Sequence, residues 1–246
     1  MLRKLYEKSQ IWFAVLWIVL YCVLMSVGDA LSAMLGVEKS VTLAVGLILS
    51  SLLVFFIYKN RLSGRLGLCP SRVHPRKMLY YLPLVLMLSA NAWFGLKINY
   101  EPIELVLYIL SMICVGFLEE VIFRGLLFEA MRRDSFKAAV VVSSVTFGIG
   151  HIINLFNGSG AELLPNLLQV VYATSASFMF VMMYCKSGSL VGCIVAHALF
   201  NSLSAFSNDA AVTPTLRIIS SVALTLITGL YALYLALTLS RDAEVE

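Results

Sequence analysis

Eight stretches of about twenty mostly apolar residues, joined by short polar connections, constrain this chain more than any other feature. A helix of about 20 such residues spans the hydrocarbon layer of a bilayer. The stretches lie near 10–28, 41–58, 78–96, 103–131, 136–155, 166–185, 188–206 and 215–240. The fourth is long enough to tilt or protrude. The seventh is the least hydrophobic, because it carries His197, Asn201 and several serines. Apolar residues make up 60% of the chain and charged residues 13%, whereas soluble domains carry about 25% charged. The expected fold is all-α, a polytopic transmembrane helix bundle of about eight spans with a polar pocket inside it. Residues 1–246 form one integral membrane domain in this reading. Ile11 to Val27 exceeds the about 7–15 apolar residues of a signal peptide, so it is expected to stay as the first span. The five cysteines are scattered and read as small apolar filler, with no CxxC metal site.

The positive charges sort by connection. With eight spans, Arg3, Lys4, Lys8, Lys59, Arg61, Arg65, Arg72, Arg76, Lys77, Arg124, Arg132, Arg133, Lys137, Lys186 and Arg241 fall on one side. Only Lys39, Lys97 and Arg217 fall on the other. The excess of Lys and Arg marks the cytoplasmic face, which places both termini there in a multi-pass protein of the cell membrane. The basic loop 61–77 reads as an orientation and headgroup-attracting segment, and His74 within it as a solvated histidine. Glu129, Arg132, Arg133 and Asp134 read as a solvated helix end.

Inside the fourth span lies Phe117-Leu-Glu-Glu-Val-Ile-Phe-Arg124. Ionisable groups at membrane depth cost about 2.5–3.5 kcal/mol each on insertion scales and mark functional sites. On a helix, Glu120 and Arg124 are i,i+4 neighbours, so one glutamate can neutralise the arginine. Glu119 points about 100° away and stays available for chemistry. The fifth span contains Phe147-Gly-Ile-Gly-His151, and the seventh His197-Ala-Leu-Phe-Asn201. At about 1.5 Å per residue, Glu119 lies roughly 20 Å from the turn near Arg132–Ser135 and His151 roughly 25 Å. His197 and Asn201 lie about 13–20 Å from the turn near Lys186–Ser189. All four can therefore share one pocket. Gly148 and Gly150 permit close helix approach, as do the small residues of Tyr172–Ser177.

A carboxylate tuned by burial and a nearby imidazole can take a proton from water at neutral pH. A second histidine and an amide one helical turn apart offer two donors that can stabilise an oxyanion. Base, water and oxyanion donors together describe amide hydrolysis without a covalent intermediate.

The order EExxxR, FxxxH and HxxxN, each in its own apolar span, resembles the CPBP family of intramembrane proteases. This is the CAAX-protease and bacteriocin-processing, or Abi, group, which includes the type II CAAX prenyl endopeptidases. The motif-bearing core is 103–206. The resemblance implies that Glu119 activates water with His151 beside it, that His197 and Asn201 bind the oxyanion, and that Glu120 and Arg124 hold the geometry. Members are described both as metalloproteases and as glutamate-dependent proteases. Metal-free water activation is the expectation here, with no cofactor. If a divalent metal such as zinc is used, Glu119, His151 and His197 could supply three ligands with an open position.

The leading expectation is thus an intramembrane endopeptidase acting on a peptide or protein substrate near the cytoplasmic half of the bilayer, with no nucleic-acid partner. A catalytically silent immunity or regulatory membrane protein that keeps the pocket is the alternative. A proton-coupled transporter ranks last, because the inverted repeats common in transporters are absent from the sequence.

Overall fold

The computed structural model describes residues 2–73, 82–157 and 161–242, with side chains to 238 in the last segment. His74, Arg76 and Lys77 lie outside the described residues. The described residues are helical throughout, apart from turns and one isolated bridge between Leu96 and Ser207.

A short amphipathic α1 (Leu2–Lys8) leads into α2 (Gln10–Leu35). Ser9 caps α2 by accepting a hydrogen bond from the Trp12 amide, and Gly36 ends it in the left-handed region at φ 68°. Helix α3 (Ser40–Lys59) returns beside it. The apolar α4 (Leu82–Ser89) continues as a 3-10 turn over Ala90–Ala92. Pro102 opens α5, whose fixed φ suits the first helical turn. This helix runs α-helical to Glu120, π-helical from Val121 to Phe128 and α-helical again to Met131. Ser135 caps α6 (Phe136–Gly150), which tightens to 3-10 over His151–Leu155. Helix α7 (Leu163–Ser187) ends at Gly188, which adopts φ 66°. Helices α8 (Val191–Leu203) and α9 (Pro214–Asp242) complete the bundle.

Six of these helices are long and apolar enough to cross a membrane among the described residues. Two shorter apolar helices, Leu82–Ala92 and Val191–Phe206, occupy the expected third and seventh positions. The eight apolar helices match the expected count, and the chain is a multi-pass membrane protein. Apolar side chains such as Phe55, Leu47, Val85 and Leu230 face outward, as a lipid-contacting wall requires. The seventh helix is shorter than expected because Gly188 stops α7 late and the chain leaves helix after Phe206, where Asn99 and Lys97 pair with its backbone.

Two charged groups sit differently from the sequence expectation. Arg124 is fully buried inside the bundle and contributes nothing to the basic face. Glu129 is also buried, accepting from the Tyr184 hydroxyl and pairing with Arg132 at 3.0 Å. On an α-helical wheel Glu129 lies opposite Glu120. The π segment bonds i→i+5 and slows the rotation, which carries Glu129 round to the packed side.

The two ends of the bundle are distinct. At one end the 60–72 loop binds the α7–α8 turn through Arg72 to Ser187 and Leu190 to Gly67, while Arg65 reaches Gln10. This end carries Lys59, Arg61, Arg65, Arg72 and Lys186. At the other end the Glu38 amide donates to Glu104, and Tyr108 bonds Ser204.

Candidate functional site

Glu119 and Glu120 end the α-helical part of α5, and the π segment begins at the next residue. π turns inside α-helices frequently mark functional sites. Opposite them, α8 comes unusually close. A Cβ placed on Gly116 would lie 2.7 Å from the Ala198 amide nitrogen. Only glycine permits that approach, and it brings His197 against both glutamates.

The His197 ring lies between the two carboxylates. Its Nδ1 is 2.8 Å from Glu120 Oε1, and its Nε2 is 3.3 Å from Glu119 Oε2. Arg124 Nη1 lies 3.1 Å from the same Glu120 oxygen, and Nη2 donates to Ser177 Oγ at 2.8 Å. The guanidinium also stacks 4.3 Å from the Phe147 ring centroid. Phe180 lies parallel to the His197 ring at 5.7 Å between centroids. Glu120 is thus enclosed by a guanidinium and an imidazole, with no exposed surface. Such a buried charge persists only when paired.

Glu119 has a different environment. Its Oε1 accepts from the Tyr21 hydroxyl of α2 at 2.6 Å. Its Oε2 is buried beside His197 without a hydrogen bond to the protein, and the Glu119 side chain lines the main cavity. That cavity has a volume of about 420 Å³ and also meets His151 and Asn201. A smaller cavity of about 50 Å³ lies behind His151, His197 and Asn201 against α4, α7 and α9.

His151 sits where α6 tightens into its 3-10 turn. Its Nδ1 is 3.1 Å from the Phe147 carbonyl oxygen, which can only accept. Nδ1 therefore carries the proton, and in the neutral ring Nε2 keeps a lone pair. Asn166 of α7 donates to the His151 carbonyl at 2.8 Å and pins this turn. Gly148 packs tightly on Thr174, whose Oγ1 would be 1.8 Å from an added Cβ. Gly150 has open space instead and lines the main cavity, so it plays no part in helix approach, contrary to the sequence expectation.

Glu119, Glu120, Arg124 and His197 therefore form one contacting cluster, with His151 and Asn201 across the shared cavities. Sequence reasoning missed Tyr21 and Ser177. Neither carries a local signal, because a tyrosine in an apolar span and a serine in a small-residue stretch are both ordinary. Among the described residues no group of three His, Cys, Asp or Glu side chains is arranged to hold a metal.

Residues 101–203 match the family described as Type II CAAX prenyl endopeptidase Rce1-like. No curated protein and no solved structure matches the chain. The matched segment begins just before α5 and ends with α8, so it contains all seven motif residues.

Proposed function

We propose that this chain, which carries a type II CAAX prenyl endopeptidase Rce1-like segment, hydrolyses a peptide bond of a membrane-presented polypeptide with a water activated by Glu119. The supporting observation is the division of labour between the paired glutamates. Glu120 is closed in by Arg124 and His197, whereas Glu119 lines the main cavity and its Oε2 has no hydrogen-bond partner.

The Glu119 carboxylate and His151 Nε2 are both acceptors, so a water held between them has both protons directed away from the substrate. Its lone pair then faces the scissile carbonyl. Glu119 takes one proton as the water oxygen bonds to that carbon. The developing oxyanion meets the Asn201 amide on α8 and, one helical turn away, His197 Nε2, which leaves Glu119 once that carboxylate has taken the proton. The proton held by Glu119 passes to the leaving nitrogen as the tetrahedral intermediate collapses. Tyr21 fixes the Glu119 carboxylate through its other oxygen. Arg124 and Ser177 hold Glu120, which in turn orients the His197 ring through Nδ1.

A metal route would need Glu119, His151 and His197 to converge on one ion. Both His197 nitrogens face carboxylates, and no triad of this kind is in place among the described residues. No step is routed through a metal. Residues 1–246 act as one membrane domain in this reading. The purified full chain in detergent should cleave internally quenched peptides, with a product pair identified by mass spectrometry. Failure to cleave any member of a broad peptide set would favour a silent regulatory role.

A further inference from the structure

Among the described residues, the main cavity joins Glu119 to one end of the bundle. From Glu119 it extends past Ser26 and Asn154 to Asp29, Lys39, Asp209 and Arg217. These four charged residues lie at the end away from the basic loops, and Asp209 is exposed. The Lys39 ammonium pairs with Asp29 at 2.7 Å, a mixed-charge rim suited to water. Towards the basic end, apolar side chains of the described residues fill the way. Val121, Ile122, Leu126 and Leu127 of the π segment are buried, and Leu66 of the basic loop packs into the same apolar cluster with Phe13 and Phe56. Glu119 stands about 26 Å from the start of α5 at 1.5 Å per residue, so the cavity is a deep one reached from the non-basic end.

The Lys and Arg excess places the basic end in the cytoplasm. We infer that the site is fed from the non-cytoplasmic face, and that its substrate class is exported or membrane-anchored polypeptide presented on that face. The cytoplasmic tail of a CAAX-type protein cannot reach Glu119 from its own side, because the buried π segment intervenes. This inference rests on the peptidase reading for its chemistry, but not for its geometry.

The test uses the full chain in spheroplasts, labelled with a membrane-impermeant maleimide, with wild type as the blank for its five native cysteines. Asp209→Cys should be labelled in intact spheroplasts, with Ala210→Cys as a second reporter should the first variant fold poorly. Asp134→Cys, in the turn after α5, should be labelled only after permeabilisation. The reverse pattern overturns the inference. In the second arm, an impermeant mixture of internally quenched peptides is added outside and should be cleaved, with Glu119→Gln as the dead control. Cleavage by solubilised protein but not by spheroplasts sinks the inference and leaves the peptidase reading standing. Labelling from outside with no cleavage even after solubilisation upholds the orientation and sinks the peptidase reading.

Discussion

Replacing Gly116 with alanine tests how the site is assembled. The added Cβ would lie 2.7 Å from the Ala198 amide nitrogen, 2.8 Å from its Cα and 2.9 Å from its Cβ. Ordinary contact for such pairs begins at 3.4 Å. Interiors are close-packed, so α8 must retreat by roughly half an ångström or more. His197 neighbours Ala198 and moves with it. Its 2.8 Å contact with Glu120 then stretches to about 3.3 Å, and its 3.3 Å ion-pair contact with Glu119 lengthens by a similar amount. Overpacking of this kind costs about 1–3 kcal/mol. If the transition state feels that cost in full, turnover falls between about 5-fold and 150-fold. The assay is thermal unfolding in detergent beside turnover of a quenched peptide. The Gly116→Ala/Ala198→Gly double variant should recover little, because two of the three close atoms are backbone. Wild-type turnover in Gly116→Ala, or full recovery in the double variant, would refute the reasoning.

Three further outcomes are expected. Arg124→Met leaves Glu120 buried without its cation and should cost about 3–5 kcal/mol of stability, read as a large fall in unfolding temperature and folded yield; an unchanged unfolding temperature would contradict the pairing. Tyr21→Phe removes a hydrogen bond to a charged group, worth about 1.5–3 kcal/mol, and should lower turnover about tenfold or more with little loss of folded protein; unaltered turnover would remove Tyr21 from the site. A chelator should leave the purified chain active, whereas inhibition reversed by added zinc would overturn metal-free activation.

Much of the site could be read from one chain because membrane depth is arithmetic. Glu119 and His197 lie at comparable distances from turns on the same face, and the 3.3 Å contact between them follows from that register. The i,i+4 pairing of Glu120 with Arg124 was equally legible, at 3.1 Å in the structure. Other features depend on rotation rather than depth. The π segment after Glu120 leaves no mark in residue type, so the burial of Glu129 could not be foreseen from helical periodicity. Tyr21 lies 98 residues before its partner, and only the packing of α2 against the π segment brings them together. Gly150 shows the converse error. A glycine beside a histidine suggests close packing, yet here it opens the cavity wall.

The most direct measurement is turnover by the purified Glu119→Gln variant. Glutamine preserves the shape and can still accept from Tyr21, but it cannot take a proton from water. Removing a general base lowers rates by about 10²–10⁴-fold, so cleavage should fall by that factor while the unfolding temperature stays at the wild-type value. Cleavage at the wild-type rate would contradict the assignment of Glu119 as the base.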